Sequence, residues 1–217
     1  MKPRIKICCI STVTEAKLAV RYGANAVGLV SAMPSGPGVI TEETIAEIAA
    51  TVPPGVATFL LTSKQDATSI ITQQRLTRVN TIQICDRVSA ECLHELRAAL
   101  PGIALVQVIH VTGEESVAEA VAVADKVDAL LLDSGNQKLA VKQLGGTGRT
   151  HDWRLSRAIV EAVKLPVFLA GGLNADNVAA ALVQVRPYGL DICSGVRTDG
   201  KLHQQKLERF IANALAQ

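Results

Sequence analysis

Short, mostly apolar runs rich in β-branched residues recur eight times along the chain, and each precedes a stretch of helical periodicity. Near-continuous apolar runs of this kind are typical of strands that are buried on both faces of a parallel sheet. They predict eight strands, at residues 5–8, 26–30, 57–61, 81–84, 104–109, 129–132, 167–170 and 190–193.

The segments between these runs place good helix formers at helical spacing. Thr41 precedes Glu42 and Glu43, which suits a helix start, because the hydroxyl caps free N–H groups and the carboxylates complement the helix dipole. The pattern predicts eight helices, at residues 15–22, 42–52, 67–76, 90–100, 116–123, 153–163, 175–183 and 204–216.

Eight alternating strand and helix units predict an α/β fold that closes into a (β/α)8 TIM barrel. An open, doubly wound sheet has the same local pattern, but no G-x-G-x-x-G motif follows the first strand, where Ile10-Ser11-Thr12-Val13 stands. No segment rich in Pro, Gly or Ser divides the chain, so we expect a single domain over residues 1–217. In such a barrel, functional side chains lie at the C-terminal ends of the strands.

Composition narrows the class of partner. Hydrophobic residues make up 48% of the chain and aromatic residues 3%, and the formal net charge is +2. A nucleic acid is not expected as a partner, because binding it requires clustered basic residues and stacking rings. No apolar run approaches the roughly 18 residues that span a bilayer, so no membrane partner is expected either. A small-molecule partner is the remaining expectation.

The cysteine count bears on compartment and metal binding. The odd count and the absence of paired short spacings predict neither a disulfide framework nor a zinc site. The first residues include no apolar segment of secretory length, so we expect a cytoplasmic location. The five cysteines are Cys8, Cys9, Cys85, Cys92 and Cys193.

Three strand ends carry side chains suited to proton transfer. Alternation along the first strand points Lys6 and Cys8 into the barrel, where Cys8 is either a small buried apolar residue or a catalytic thiol. Asp133 ends an apolar strand, where a carboxylate is costly unless it is solvated, paired or used. It either caps the following loop or acts in catalysis. Asp191 shares the inner side of the eighth strand, and we expect it to pair with Lys6.

Glycine-rich segments follow the seventh and eighth strands, namely Gly171-Gly172 and Ser194-Gly195. Glycine lets a ligand approach backbone N–H groups closely, and (β/α)8 barrels often bind a phosphate between these two loops. The two segments therefore predict a phosphate site.

The longest connection covers residues 134–151 and includes Gly146 and Gly148. A loop of this length in a compact domain is usually functional, so it predicts a lid over the barrel mouth that contacts the substrate. His151, at its end, is either a proton-transfer candidate or a plain surface histidine.

These motifs together resemble the phosphoribosylanthranilate isomerase family of tryptophan biosynthesis, whose members are (β/α)8 barrels. The resemblance runs nearly from end to end. It rests on Lys6-Ile7-Cys8, Gly23-Ala24-Asn25-Ala26-Val27-Gly28, Leu132-Asp133, residues 145–153, Gly171-Gly172-Leu173-Asn174 and residues 191–196.

The resemblance implies a cofactor-independent aldose–ketose isomerase, an intramolecular oxidoreductase that performs an Amadori rearrangement. It implies N-(5-phosphoribosyl)anthranilate, a phosphorylated aminosugar, as substrate, and no metal. Cys8 then corresponds to the general base and Asp133 to the general acid. The substrate and phosphate region would comprise Gly146, Gly148, Gly171, Gly172, Asp191, Ser194 and Gly195.

Several positions depart from the family pattern. Residues 34–39 contain no Arg, although the family usually has one there that contacts the anthranilate carboxylate. Losing such a charge-assisted bond costs about 1.5–3 kcal/mol in binding. Asp86 follows the fourth strand, Cys9 replaces a Gly, and His151 replaces a Phe. These departures leave the positions of the base, the acid and the phosphate loops unchanged. They lie mainly where the resemblance places the anthranilate ring of the substrate.

The departures leave several hypotheses open. Arg149 or Arg197 could supply the missing cation, or the substrate could be a phosphorylated aminosugar with a different amine substituent. Another barrel enzyme, such as an epimerase or aldolase, is less favoured, because no lysine is placed for a Schiff base and no His cluster for a metal. A non-catalytic protein that binds a phosphometabolite is a further alternative. A monomer and a homodimer are both compatible with the sequence.

Overall fold

A closed barrel of eight parallel strands forms the centre of the molecule, which confirms the predicted (β/α)8 fold. The computed structural model describes residues 2–135, 139, 141–146 and 148–216. The strands follow one another around the barrel in chain order, and β1 closes it by pairing with both β2 and β8. They are β1 (Arg4–Ile7), β2 (Ala26–Val30), β3 (Ala57–Thr62), β4 (Thr81–Ile84), β5 (Ala104–His110), β6 (Ala129–Asp133), β7 (Val167–Leu169) and β8 (Gly189–Ile192).

Each barrel strand is followed by an α-helix, which gives eight helices within the described residues. Thr41 caps the second helix as predicted, since its hydroxyl accepts the N–H of Thr44 at 3.2 Å. None of these helices, in the part of the chain that is described, is both long and apolar enough to cross a bilayer. They are α1 (Val13–Arg21), α2 (Glu42–Thr51), α3 (Ala67–Thr77), α4 (Ala90–Ala99), α5 (Glu115–Val123), α6 (Trp153–Ala162), α7 (Val178–Val185) and α8 (Gln204–Leu215).

Helix α7 begins three residues later than the sequence pattern predicts. The N–H of Asn174 donates to Oδ1 of Asn177 at 2.8 Å, and Oδ1 of Asn174 accepts from the N–H of Asp176 at 2.8 Å. Side chains that bond nearby backbone groups compete with helical hydrogen bonds. The turn they form therefore delays the helix and extends the loop that follows β7.

A short antiparallel hairpin, β9 (Arg197–Thr198) and β10 (Lys201–Leu202), precedes α8 and was not predicted. Its turn residues, Asp199 and Gly200, have φ values of 50° and 75°. Asp-Gly is a favoured pair for two-residue hairpin turns that need two positive φ angles, so the signal was present in the sequence.

The core has two layers. One lies between the barrel and the helices, and the other fills the barrel interior. In the interior, the rings of Phe59 and Phe168 pack edge to face with centroids 6.0 Å apart. The ammonium of Lys6 lies 5.2 Å from the centroid of Phe59. Because side chains fill the inside of the barrel, a ligand must bind at its mouth.

Candidate active site

A cavity at the C-terminal ends of the strands brings together the predicted site residues. It contains about 690 Å³ of empty space, which includes space open to solvent. Gly195 lies beside the cavity, against the backbone of Leu173. The other predicted residues all line it: Cys8, Asp133, Gly146, Gly148, Gly171, Gly172, Asp191 and Ser194.

The floor of this cavity is a buried row of three side chains. Lys6 and Asp191 are neighbours in register on β1 and β8, and Nζ of Lys6 donates to Oδ1 of Asp191 at 2.8 Å, which is the predicted ion pair. The same ammonium donates to Sγ of Cys8 at 3.5 Å. Gly28 on β2 leaves the space for them, because a Cβ there would lie 2.9 Å from both Cys8 Sγ and Lys6 Nζ.

Lys6 is fully buried and still holds its charge. Burial by itself lowers the pKa of Lys6, but the charges of Asp191 and Cys8 and the hydrogen bonds to both raise the pKa above its ordinary value. A permanent cation beside a thiol stabilises the thiolate, which is the form that accepts a proton. The floor therefore places a buried ammonium in contact with the Cys8 thiol.

The other cysteines at the mouth have different surroundings. The hydrogen bond with Cys9 and the nearby charge of Arg197 lower the pKa of the Cys193 thiol. Sγ of Cys9 lies 2.8 Å from Sγ of Cys193, and this contact, with burial, raises the pKa of the Cys9 thiol. Burial raises the pKa of the Cys85 thiol as well. All five cysteines are free. Cys8 is the cysteine whose Sγ accepts a hydrogen bond from the buried ammonium of Lys6.

Asp133 ends β6 and is buried across the same cavity. Burial raises its pKa and the negative charge of Asp191 adds to the increase, although the bond from the N–H of Ser134 to Oδ1, at 2.7 Å, opposes it. Oδ2 lies against Gly145, where a Cβ would be 2.6 Å away. The two predicted roles are compatible in this geometry, because Oδ1 accepts a bond from the following loop while the carboxyl lines the cavity.

The loops that follow β6, β7 and β8 meet at glycine residues on one side of the cavity. A Cβ on Gly171 would lie 3.1 Å from the carbonyl oxygen of Arg149, and one on Gly148 would lie 3.7 Å from Oγ of Ser194. Nδ2 of Asn177 donates to the carbonyl of Gly172 at 2.9 Å and holds the second of these loops in place. The result is a small concave surface made largely of backbone.

Part of the predicted lid forms the opposite wall. Leu144, Gly145 and Gly146 line the cavity, and Oγ of Ser35 donates to the carbonyl of Lys142 at 2.7 Å. Residues 136–138, 140 and 147 of the same connection lie outside the described residues. The described segment therefore rests on the loop between β2 and α2.

His151 has neither of the roles that the sequence suggested. Its Nε2 lies 2.6 Å from Oγ of Ser156, the ring packs beside Gly171, and the residue does not line the cavity. Burial lowers the pKa of His151 to about 4, so the ring is neutral near pH 7. It serves to fix the start of α6.

The far end of the cavity, between β2 and β4, is formed by side chains that carry no charge. No Lys or Arg side chain of the described residues lines the cavity. Arg197, a candidate for the missing cation, is occupied elsewhere, because it pairs with Glu15 at 3.0 Å and donates to the carbonyls of Cys8 and Cys9. This end is lined by Val30, Met33, Ser35, Pro37, Leu61, Gln83 and Cys85.

Two ion pairs at the mouth were missed by sequence reasoning. One joins Arg197 to Glu15 and fixes the backbone after β1; the other joins Lys142 to Asp86. The partners lie 182 and 56 residues apart, so no local pattern indicates them. No group of three or more His, Cys, Asp or Glu side chains within the described ranges is arranged to hold a metal.

Comparison with known proteins gives a consistent result. The family model described as N-(5'phosphoribosyl)anthranilate (PRA) isomerase matches residues 5–213. The N-(5'-phosphoribosyl)anthranilate isomerase of Haloferax volcanii is 36% identical, over 97% of this chain and 92% of the relative. That of Methanocella arvoryzae is 32% identical, over 95% and 94%.

A solved structure shows the same likeness in three dimensions. It is a phosphoribosyl anthranilate isomerase in complex with reduced 1-(o-carboxyphenylamino)-1-deoxyribulose 5-phosphate. It superposes with a TM-score of 0.83 at 26% identity and covers 99% of this chain and 100% of its own.

Proposed function

Because the chain belongs to the N-(5'-phosphoribosyl)anthranilate isomerase family, we propose that this cavity performs the family's rearrangement with Cys8 as base and Asp133 as acid. Membership makes the chain an aldose–ketose isomerase of tryptophan biosynthesis. The observation that carries the assignment of roles is the pairing of a thiol next to a buried ammonium with a carboxyl of raised pKa in one cavity. We propose that residues 1–217 act as one domain.

Asp133 opens the sugar ring. In its protonated form it gives a proton to the furanose ring oxygen, while the nitrogen lone pair forms a C=N bond and the bond from C1 to the ring oxygen breaks. This step needs a carboxyl that is still protonated near neutral pH, which the raised pKa of Asp133 favours.

Cys8 then removes the proton from C2 of the open-chain iminium. The electron pair of the C–H bond forms a C1–C2 double bond, and the electrons of the C=N bond return to nitrogen to give an enolamine. The enolamine becomes the ketone when its 2-hydroxyl loses a proton and C1 gains one. Lys6 stays protonated and stabilises the thiolate before the proton is transferred.

The phosphate is proposed to bind at Gly171, Gly172, Ser194 and Gly195, where close approach to backbone is possible. Gly146 and Gly148 would cover the substrate from the lid side. A carboxylate repels a phosphate, so we assign Asp191 to orienting Lys6 and not to phosphate binding. The phosphorylated ligand of the solved relative supports a phosphorylated aminosugar as substrate here.

We propose the cytoplasm as the compartment, because five free thiols, four of them at the active-site mouth, suit a reducing environment.

Turnover tests this function directly. The purified protein should consume N-(5'-phosphoribosyl)anthranilate, and its gene should restore growth to a tryptophan auxotroph that lacks this isomerase. The double variant Cys8→Ala/Asp133→Asn is the negative control and should do neither while remaining soluble. A folded wild-type protein that fails in both assays would contradict the proposal.

A further inference from the structure

The substrate of the proposed reaction is anionic at both ends, with a phosphate on the sugar and a carboxylate on the aromatic ring. The cavity is lined by two carboxylates, Asp133 and Asp191, and by no cationic side chain of the described residues. A ring carboxylate in such surroundings needs a cation that reaches it from the rim.

One cation stands at the rim of the uncharged end. Nζ of Lys142 lies 2.5 Å from Oδ2 of Asp86, which directly follows the cavity residue Cys85. The carbonyl of Lys142 accepts a bond from the cavity residue Ser35, and two positions further along, Leu144 lines the wall. The lysine thus spans the gap between the two loops that enclose this end.

The geometry points to Lys142 as the residue that recognises the carboxylate of the substrate, with Asp86 positioning its ammonium. The side chain of Asp86 is 6% exposed and is anchored by the N–H of Arg87 at 2.8 Å, whereas the side chain of Lys142 is 38% exposed. An ammonium has three donors, so one can stay on Asp86 while others reach the ligand. This inference rests on the proposed function.

Two other described cations near the mouth are already engaged by other groups. Lys6 lies beneath Asp191 and Cys8, and Arg197 is held by Glu15. The carbonyl of Arg149 lies against Gly171, on the phosphate side. Two exposed cations remain on neighbouring loops: Arg87 pairs with Glu119, and Lys64 lies beside Asp66 at the start of α3.

The test compares two substrates in matched variants. N-(5-phosphoribosyl)anthranilate carries the carboxylate, and N-(5-phosphoribosyl)aniline lacks it. Lys142→Met should raise KM for the first by about 10- to 100-fold, change its kcat much less, and leave the kinetics of the second unchanged. Lys142→Arg should retain most of the affinity, and Asp86→Asn should raise KM for the first substrate only. Lys64→Met removes the same charge from a neighbouring loop and should change neither.

Two results would overturn the inference. One is an equal effect of Lys142→Met on both substrates, which indicates a purely structural role. The other is a wild-type preference for the aniline compound, which indicates a pocket built for an uncharged amine. If the wild type turns over neither, the proposed function fails. The role of Lys142 is then decided by calorimetry, comparing the reduced carboxyphenylamino ribulose phosphate with its phenylamino analogue in the wild type and Lys142→Met.

Discussion

The two sides of the cavity are built in different ways. On the side of β1, β6, β7 and β8, the chemistry lies on or directly after the strands, as with Lys6, Asp133 and Asp191, and glycine backbone forms the rest. On the side of β2 to β4, the wall consists of uncharged side chains from strand ends and loops, and its charge comes from Lys142, a residue of the distant connection between β6 and α6.

The proposed proton transfers therefore belong to one side of the cavity, and the proposed recognition of the amine substituent belongs to the other. Lys6 and Asp191 are fixed by strand register, in which they are paired, and they cannot shift without disturbing the barrel. Among the described residues, no hydrogen bond joins the loop that carries Ser35 and Pro37 to the side chains of the strands on the opposite side, namely Lys6, Asp133 and Asp191. We therefore expect changes on the β2 side to alter which substrate binds, and changes on the β1 and β8 side to abolish turnover.

The largest expected effect is that of removing the thiol on the reactive side. Cys8→Ala should lower kcat by about 10³- to 10⁴-fold, because it removes the thiol beside Lys6 that is proposed to take the C2 proton. Steady-state kinetics at saturating substrate measures the effect. Cys92→Ala, which removes a buried thiol outside the cavity, should keep kcat close to wild type. Substantial activity in Cys8→Ala would move the base to another residue.

The reactive side also contributes to stability through its buried ion pair. Lys6→Met leaves Asp191 buried without its cation and should lower the free energy of unfolding by about 3–5 kcal/mol. Denaturant melts measure this loss. Arg87→Met breaks an exposed pair with Glu119 and should cost less than about 1 kcal/mol.

A double variant distinguishes the contribution of the Lys6–Asp191 pair to folding stability from its contribution to turnover. Lys6→Met/Asp191→Leu replaces the pair by apolar groups and should recover much of the stability without recovering turnover. If turnover returned together with stability, the ion pair would be only a structural element.

The reactive side was largely predictable from the sequence because its parts are local. Alternation along β1 and β8 pointed Lys6, Cys8 and Asp191 inwards, and a carboxylate at the end of the apolar strand β6 marked Asp133. The glycine pairs that follow β7 and β8 marked the backbone surface. Strand position and residue type sufficed in each case.

The recognition side was not predictable in the same way. Lys142 is one of several lysines in polar loops, and only the folded barrel brings it to Asp86, 56 residues away. The pairing of Arg197 with Glu15 depends in the same manner on the closure of the barrel and on the hairpin that precedes α8. Sequence patterns report local geometry, whereas these contacts depend on loop conformation.

Replacing Asp133, the proposed acid, should give a smaller kinetic effect with a distinctive pH dependence. Asp133→Asn should lower kcat by about 10²- to 10³-fold. In the wild type, kcat should fall as the pH rises through the raised pKa of Asp133, because the proton donor is lost, and the variant should not show this limb. A pH–rate profile measures the difference, and an unchanged profile in Asp133→Asn would exclude Asp133 as the acid.

The same substitution, Asp133→Asn, should lower kcat but raise the stability of the protein near neutral pH. A pKa that is raised in the folded state contributes stability at low pH, and this contribution is lost as the pH rises through the folded pKa. Asp133→Asn should therefore be more stable than the wild type at about pH 7.5, and the difference should shrink at about pH 4. Thermal melts at the two pH values measure this, and a variant that is less stable at the higher pH would contradict the cost assigned to the buried charge.

The smallest expected effect concerns the glycine surface formed by the loops after β6, β7 and β8, where the phosphate is proposed to bind. Gly172 has a φ of 63°, and a Cβ there would lie 2.7 Å from the backbone N of Thr150, so Gly172→Ala must displace the loop contact. KM for the phosphorylated substrate should rise about 10-fold, and inhibition by ribose 5-phosphate should weaken by the same factor, with a smaller change in kcat. Gly55→Ala is the matched control, because Gly55 also has a positive φ, of 90°, but nothing lies within 4 Å of its added Cβ. Gly55→Ala should lower the free energy of unfolding by about 1 kcal/mol and leave KM unchanged. Equal KM values in the two variants would mean that the phosphate binds elsewhere.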